Sequence, residues 1–303
     1  MTFSELKCFD AVARHGSFVK AAEKLGRTQP TVTMQVSQLE KAFGVELVVR
    51  GRGKMVGLTR LGESLFSITR HLLALEQDAA SLLKGAGAMT RGEIRITSTA
   101  PSMAIKIVER FSKRHPLIDV NLHFANSETV LRSVLSCETD IGILGGHADH
   151  PDCLAIQIAR PEIVLIGHKD HPAVVKGLID RGEFARETLL IREQGSETRD
   201  LLLSSIRQHD YKPARLLEIG SRDGALAAAV ARMGLAAISE YETVANEKVG
   251  FIRFEGFKVF GVNHAICLKK RADSNVIAAV LHAARDFQDC GSAAYSDPQA
   301  SLG

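Results

Sequence analysis

The chain lacks the features that mark membrane and secreted proteins. No apolar run approaches the ~20 residues that a membrane-spanning helix requires. The N-terminal sequence MTFSELKCFD lacks the order of basic and then apolar residues that a signal peptide has. The five cysteines form no CxxC pair, and in a reducing compartment most of them would be buried thiols. We therefore expect a cytoplasmic protein with no membrane partner.

An excess of either charge is also missing, because the net charge is only +3. The basic residues are nevertheless unevenly spread, and Arg50, Arg52, Lys54 and Arg60 lie within eleven residues in a glycine-rich setting. Contact with phosphates needs local basic charge of this kind. The 303 residues, 45% of them hydrophobic, are enough for two or three units that each have a core.

Three short helical patterns begin the chain. Apolar residues share one face of a first helix over residues 4–14, and Ser17 is a suitable N-cap for a second helix. Gly26 supplies the turn before a third helix. Pro30 fits the first turn of that third helix, where its missing N–H costs nothing.

The third helix combines an apolar stripe with a polar outer face. The stripe consists of Val32, Val36, Leu39 and Phe43. The outer face carries short or polar side chains with almost no charge, namely Thr31, Met34, Ser37, Gln38 and Lys41. Such side chains can hydrogen-bond to base edges in a major groove, and a solvated polar face is the alternative. The three helices predict a helix-turn-helix that reads DNA.

Two β-prone runs around GRG follow in the sequence VELVVRGRGKMVGLT. This pattern predicts a hairpin, the wing of a winged helix. Its basic residues could neutralise the DNA backbone or enter a narrow minor groove, and the alternative is a solvated loop.

From Arg60 to about Ala86 the apolar residues follow a strict heptad pattern. Their spacing is 4-3-4-3-4-3, at Leu61, Leu65, Ile68, Leu72, Leu75, Ala79 and Leu82. A seam of this kind indicates a partner helix, most simply the same helix of a second subunit. Packing on the chain's own second domain is the alternative. GAGAMTRG, residues 85–92, is typical of a flexible joint.

The rest of the chain, residues 93–289, alternates short apolar strands with helices. EIRITST and DVNLHFA show the period-two pattern of strands, and DIGILGG, IVLIG, LLIRE, LLEIG, LAAIS and HAICL are further short apolar runs. The pattern predicts an α/β architecture with mostly parallel sheets, split into two lobes with crossovers near residues 145–160 and 267–271. The small, polar tail is expected to be disordered.

These parts, in this order, resemble the LysR-type transcriptional regulators over residues 3–290. The residues that carry the resemblance are Phe9, Ala11, Val12, Ala13, Gly16, Ser17, Phe18, Ala21, Ala22, Leu25, Gln29, Pro30, Val32, Thr33, Gln35, Val36, Leu39, Glu40, Gly44, Leu47, Leu58, Thr59 and Gly62. Two features depart from the family. Met34 stands where a basic base-reader is frequent, and residues 50–56 are about one residue longer than the commonest wing.

The resemblance implies a fold and a domain order. It implies a winged helix-turn-helix over residues 1–59, a dimerisation helix over 60–89, a bilobal domain like a periplasmic binding protein over 90–290, and a disordered tail over 291–303. It also implies a homodimer or homotetramer that binds promoter DNA. A small molecule between the lobes would change the DNA contacts.

The residues predicted to contact double-stranded DNA belong to the third helix, the second helix and the wing. On the third helix and before it they are Thr28, Gln29, Pro30, Thr31, Thr33, Met34 and Gln38. Glutamine can pair with adenine, and proline or threonine carbons can touch a thymine methyl group. Ser17 and Thr33 are better suited to phosphates. Arg50, Arg52 and Lys54 complete the set on the wing.

The predicted effector site follows from the position of ligands in α/β folds, beyond the carboxyl ends of strands and at helix N-termini. The segments STAPS (98–102), NSET (126–129), QGSETR (194–199) and GSRDG (220–224) have this position. Their hydroxyl groups, backbone N–H groups and arginines favour a small anion, a carboxylate or a phosphonate, although they could be plain N-caps. The predicted residues are Ser98, Thr99, Ser102, Asn126, Ser127, Ser196, Thr198, Arg199, Ser221 and Arg222.

Within the family, four segments are similar to regulators associated with 2-aminoethylphosphonate catabolism: NSETVLR, REQGSETR, LEIGSRDG and ISEYE. Their hydroxyl and arginine pattern agrees with a phosphonate and nearly as well with a carboxylate.

Two other functions are the alternatives. A solute-binding protein would share the second region, but the missing signal peptide and the DNA-reading unit argue against it. An enzyme is disfavoured because the chain has no nucleophile elbow, P-loop, HExxH motif or GxGxxG after a strand. We therefore expect no catalytic residue and no cofactor. His147, His150 and Cys153 are metal-type donors at steps of three, but Pro151 would break a helix there, so no metal site is predicted and the question stays open.

Overall fold

The computed structural model describes residues 1–51, 54–84, 92–146, 148–242 and 247–291. They belong to two compact units, one formed by residues 1–86 with 136–138 and the other by residues 87–135 with 139–303. None of the helices in the described ranges is both long enough and apolar enough to span a membrane.

The first unit contains four helices and one hairpin. Its elements are α1 (Phe3–His15), α2 (Phe18–Leu25), α3 (Gln29–Phe43), β1 (Val48–Gly51), β2 (Lys54–Leu58) and α4 (Arg60–Lys84). A capping box starts α1, in which Thr2 accepts from the Glu5 amide and Glu5 accepts from the Thr2 amide. The three helices and the hairpin of the predicted winged helix are therefore present.

The first three helices enclose a small core. Val32, Val36 and Leu39 of α3 are buried in it, as their spacing predicts. Phe43 is 58% exposed, contrary to the predicted stripe. It is the last residue of α3, so it lies beyond the part of the helix that faces the core.

The wing is held to the end of α3 by one carboxylate. β1 and β2 pair antiparallel, with Val48 opposite Leu58. Glu40 of α3 accepts hydrogen bonds from the Leu47 amide at 2.9 Å and the Val48 amide at 3.2 Å. Satisfying these two donors fixes where the hairpin leaves the helix.

The second unit has two lobes. Its elements are β3 (Gly92–Ser98), α5 (Pro101–Arg114), β4 (Ile118–Phe124), α6 (Ser127–Leu135), β5 (Ile141–Gly145), β6 (Cys153–Ala159), β7 (Glu162–His168), α7 (Pro172–Lys176), β8 (Leu178–Ile179), α8 (Arg181–Phe184), β9 (Thr188–Ile191), α9 (Glu197–Gln208), β10 (Arg215–Glu218), α10 (Arg222–Val230), β11 (Leu235–Ser239), β12 (Val249–Phe254), β13 (Val259–Phe260), β14 (Asn263–Leu268) and α11 (Asn275–Gly291). Lobe 1 is built on the sheet β4-β3-β5-β14-β6. Lobe 2 is built on β10-β9-β11-β7-β12-β8, with β13 paired to β7.

The sheets are mixed, which corrects the prediction of mostly parallel sheets. β3, β4 and β5 are parallel, but β14 runs antiparallel to β5 and β6. In lobe 2, β7 is antiparallel to β11 and β12. Parallel neighbours require a crossover within one sheet, whereas β14 is reached from the other lobe. The chain passes between the lobes at residues 160–161 and 261–262, so the second crossover precedes its predicted position.

Several predictions fall outside the described residues. They are the flexible joint up to residue 91 and the disordered tail from residue 292. Arg52 and His147 are outside as well.

Candidate nucleic-acid interface and ligand cleft

The outer face of α3 is exposed over its first three turns. Thr28, Gln29, Pro30 and Gln38 are exposed, and Met34 is 50% exposed. No acidic residue lies in the first turn, so the positive end of the helix dipole is not neutralised there. This end of α3 can therefore receive a phosphate or a base edge.

Threonines of α3 differ in their accessibility. The hydroxyls of Thr28 and Thr31 lie 2.8 Å apart on the surface. The Thr33 hydroxyl is buried and has no hydrogen-bond partner within the described structure. Thr33 thus does not present its hydroxyl to a phosphate in this conformation. Ser17 caps α2 by accepting from the Lys20 amide at 3.4 Å.

The wing contributes one described basic side chain. Arg50 donates to Glu40 at 2.6 Å and to the Ser37 hydroxyl at 3.4 Å, and its guanidinium lies 5.6 Å from the Phe18 ring centroid. This arginine is therefore bound to α3 and α2. Lys54 begins β2, but its side chain, like the whole of Arg52, is outside the described part.

The heptad residues of α4 are divided between two environments. Leu65 packs against the core of the first three helices. Leu61, Ile68, Leu72 and Leu75 are 40–63% exposed, and Ala79 is exposed too. A stripe of exposed leucine and isoleucine along one helix is the arrangement that a second helix would cover.

A cleft lies between the two lobes of the second unit, where the carboxyl ends of their strands meet. Its lining comes from the ends of β3, β4, β5 and β11 and from the starts of α6, α9 and α10. Asn126 bridges the lobes, because its side-chain oxygen accepts from the Thr129 amide at 3.0 Å and its nitrogen donates to the Gln194 carbonyl at 3.3 Å.

Two neighbouring cavities of the cleft bring most of the predicted effector residues together. Thr99, Asn126, Ser127, Ser196, Thr198 and Arg222 line the inner cavity. Ser98 and Ser221 join Thr99, Asn126 and Arg222 around the outer one. Ser102 and Arg199 line neither of these two cavities.

Arg199 is directed elsewhere by its ion pair. It donates to the Arg192 carbonyl at 2.6 Å and to Glu218 at 2.7 Å. Arg192, which sequence reasoning did not select, lines both cavities and forms two hydrogen bonds to Glu193, at 2.7 and 2.8 Å. The signal for Arg192 was its position directly after β9.

Arg222 connects the two cavities to a buried carboxylate. It forms ion pairs with Asp223, at 3.0 Å, and with Glu242. Burial raises the pKa of Glu242, and the Arg222 cation and the Ser102 donors offset part of that rise. Ser102 thus faces Glu242 instead of the open cavity.

Glu197, the first residue of α9, is the second carboxylate of the inner cavity. Burial, with a smaller contribution from the Asp200 charge, raises the pKa of Glu197 to about 7. The carboxylate lies against Gly145 and Gly146 of lobe 1. The sequence predicts an anionic effector, so the predicted site consists mainly of hydroxyl and arginine side chains and does not include this acid.

Of the three metal-type donors, His150 and Cys153 lie in the described residues, and neither is arranged as a metal ligand. His150 Nδ1 accepts from the Asp152 amide at 3.2 Å, and Cys153 is a buried thiol at the start of β6. Among the residues with assigned positions, no group of three or more histidine, cysteine or acidic side chains could hold a metal ion.

Two family models match the chain. Residues 3–63 match the bacterial regulatory helix-turn-helix protein of the lysR family, and residues 87–289 match the LysR substrate binding domain. The second match alone covers more than half of the chain.

Curated relatives of the chain are named transcriptional regulators, not enzymes. The chain is 34% identical over 241 residues to the HTH-type transcriptional regulator CfxR of Cupriavidus necator, which covers 79% of this chain and 76% of that protein. It is 32% identical over 237 residues to the HTH-type transcriptional regulator CbbR of Rhodospirillum rubrum, with 78% of each chain covered. It is 32% identical over 204 residues to the RuBisCO operon transcriptional regulator of Allochromatium vinosum, with 67% of each covered. These names argue against the solute-binding and enzyme alternatives.

Solved structures share the fold. A full-length OxyR variant from Pseudomonas aeruginosa superposes with a TM-score of 0.74 at 18% identity, covering 95% of this chain and 94% of that one. Full-length CbnR in complex with its target DNA gives a TM-score of 0.69 at 21% identity, covering 95% and 100%. The predicted order of a helix-turn-helix and a domain like a periplasmic binding protein is confirmed.

Proposed function

This chain belongs to the LysR family of bacterial transcriptional regulators, and we propose that it is a homodimer or homotetramer whose promoter contacts are controlled by a small anionic ligand. In this proposal residues 1–59 bind DNA, residues 60–89 join the subunits and residues 90–290 hold the ligand. The observation that carries it is the exposed, nearly uncharged outer face of α3 ahead of a helix with an exposed apolar seam.

The DNA contacts are assigned to the accessible residues of α3. Gln29 and Gln38 have the amide groups that pair with adenine, and Thr31 and Met34 offer carbon atoms to a thymine methyl group. Thr28 and Ser17 stand at helix N-termini, where backbone N–H groups attract phosphates. Because Thr33 has a buried hydroxyl, its role is to pack α3.

The oligomer is assigned to the exposed half of the α4 seam. Two copies of α4 would cover Ile68, Leu72 and Leu75 on each other, and burying the exposed half of each side chain stabilises the dimer by roughly 1 kcal/mol before ordering costs. A two-fold dimer presents two α3 helices to half-sites about 34 Å apart, or at multiples of that spacing.

The ligand site is assigned to the cleft, where Arg192 and Arg222 line the same cavity. The starts of α5, α6, α9 and α10 surround them and add backbone N–H donors. Each arginine has a carboxylate partner, Glu193 or Asp223, that an incoming carboxylate or phosphonate can replace.

The regulated genes are proposed from the relatives' names. One relative is named for the RuBisCO operon, which favours a RuBisCO operon as the target. The motifs similar to regulators of 2-aminoethylphosphonate catabolism keep that pathway as the second candidate, although no relative named above points to it.

Fluorescence anisotropy with promoter fragments tests the proposal. We expect the full chain to bind a fragment upstream of its own gene or of neighbouring genes far more tightly than a scrambled fragment of equal length. Inorganic phosphate, small carboxylates and small phosphonates, added one at a time, should include at least one that changes the binding. Equal binding to both fragments would overturn the proposal that the chain regulates a specific promoter.

A further inference from the structure

The inner cavity of the cleft contains a buried carboxylate oxygen without a partner. Glu242 is 6% exposed and lines this cavity. Its Oε2 pairs with Arg222, and Ser102 lies beside the carboxylate, but Oε1 has no hydrogen-bond partner of good geometry in the described structure. A buried acceptor is normally satisfied, so this oxygen points to a donor that none of the described residues provides.

A second carboxylate lines the same cavity. Glu197 forms no ion pair among the described residues. It is buried beside Gly145, and no cation offsets the rise in its pKa that burial causes. Two acids that line one cavity are costly to bury, and among the described residues only Glu242 has a cationic partner, Arg222.

Two cationic side chains line the same cavity as the two acids, so the lining has two signs. Arg192 and Arg222 can hold an acid group, whereas Glu197 and Glu242 can accept hydrogen bonds from a protonated amine. We propose that the effector carries both groups on one small molecule, and that it is an aminoalkyl acid. This inference rests on the proposed anion site and adds the role of the two glutamates.

A metal ion fits the carboxylates less well. Within the described ranges no third acidic, histidine or cysteine side chain joins them in a cluster able to hold a metal. Calcium and magnesium take six or more oxygen ligands and zinc about four, mostly from histidine and cysteine, whereas an ammonium group needs only about three acceptors.

Isothermal titration of the full-length protein with matched probes tests the inference. The probes are β-alanine with propionate, 2-aminoethylphosphonate with ethylphosphonate, and ethylamine alone. We expect at least one amino acid probe to bind about tenfold or more tightly than its counterpart without the amine, and ethylamine to bind weakly. The two pairs also distinguish an amino carboxylic acid from an aminophosphonic acid.

Two unfavourable outcomes separate the two proposals. If propionate or ethylphosphonate binds as tightly as its amino counterpart, the amine inference is overturned and the anion site stands. If none of the acids binds, with or without an amine, both are overturned.

Substitutions test whether the two glutamates cause the preference for the probe that carries an amine. Glu197→Gln and Glu242→Gln should each remove most of the preference for the amino probe, so that it binds about as tightly as the plain acid does to the same variant. Glu109→Gln on the exposed side of α5 makes the same change of charge outside the cavity and should keep the preference. A preference that survives both cleft variants would overturn the inference.

The pH dependence of binding is a second measurement that needs no variant. Glu197 lines the inner cavity and also a third cavity next to it, and six charged or titratable groups share these two with it: Arg192, Arg222, Glu242, Asp200, Glu128 and His264. An ammonium group binds the ionised form of Glu197, whose pKa is about 7, so the amino probe should bind about tenfold more weakly at about pH 6 than at about pH 8. Glu197→Gln should flatten this dependence, and an unchanged slope would contradict the role of Glu197.

Discussion

The Glu197 carboxylate at the start of α9 lies directly against the backbone of Gly145 at the end of β5. A Cβ atom on Gly145 would stand 1.8 Å from Glu197 Oε2. The two residues belong to different lobes, so the width of the cleft at this point depends on the absence of a side chain at position 145. This contact therefore links the width of the cleft to the position of an acidic group that lines it.

Gly145→Ala should therefore displace Glu197 and open the cleft at this point. We expect a small loss of about 1 kcal/mol in the free energy of unfolding, because the methyl group overlaps the flexible end of the Glu197 side chain, together with weaker ligand binding, because Glu197 has to move. Thermal unfolding and calorimetric titration measure the two effects. Gly92→Ala, in a strand of the same lobe, is the matched control, since a Cβ there meets only Ile118 Cδ1 at 3.4 Å. Equal stability of the two variants would contradict the contact.

Gln29→Ala combined with Thr31→Ala should abolish sequence-specific DNA binding. Loss of one good base contact costs about 1–3 kcal/mol of discrimination, so affinity for the specific site should fall about tenfold or more. Anisotropy measures the affinity and light scattering should show an unchanged oligomer. Gln208→Ala, at the end of α9, is the control. DNA footprints that remain unchanged would show that α3 is not the helix that reads the bases.

Ile68→Asp combined with Leu75→Asp should yield monomers. Both side chains are largely exposed in the single chain, so the folded unit should survive while the seam loses its apolar contacts. Light scattering measures the mass. Leu83→Asp, at an exposed position next to the seam residue Leu82, should leave the oligomer intact. Oligomers that persist in the double variant would assign the interface elsewhere.

Asp140→Asn should destabilise lobe 1. Asp140 accepts from Arg95 at 2.8 Å and from Arg271 at 2.6 Å, and all three residues are largely buried. Burial raises its pKa, but the two arginines together outweigh burial and hold the pKa of Asp140 below its usual value. Removing one partner of such a cluster costs about 3–5 kcal/mol, which chemical denaturation at neutral pH would measure.

The same shift gives a pH dependence with a defined sign. Because the folded-state pKa of Asp140 lies below the unfolded value of about 3.9, its stabilisation is present above about pH 4 and is lost as the pH falls through the folded value. The difference in unfolding free energy between the native chain and Asp140→Asn should shrink over that acidic range. A difference that stays constant with pH would show that the charge of Asp140 contributes nothing.

Much of the first unit was predictable because its signals are local. Helix stripes, the N-cap before α2, and the hairpin around GRG are all set by residues a few positions apart. The same signals did not reveal that Phe43 is exposed or that the Thr33 hydroxyl is buried, since both depend on where α3 meets its neighbours.

The ligand cleft was predictable only in outline. The rule that ligands lie beyond strand ends selected eight residues that line the two cavities. It also selected Arg199, which pairs with Glu218, and it omitted Arg192, Glu197 and Glu242. Sequence position shows which residues stand at a strand end, but it does not show which charges lie within reach of one another.

The amino-acid sequence by itself determined the family, the order of the units and the polar face of α3, because these follow from periodicity and short-range motifs. Only the tertiary structure decided the signs of charge in the cleft. Glu197 and Gly145 are far apart in the chain, and they meet because the chain passes twice between the lobes and brings β5 and α9 to the same opening. Burial at that opening raises the pKa of the acid, and burial is a property of the folded chain alone.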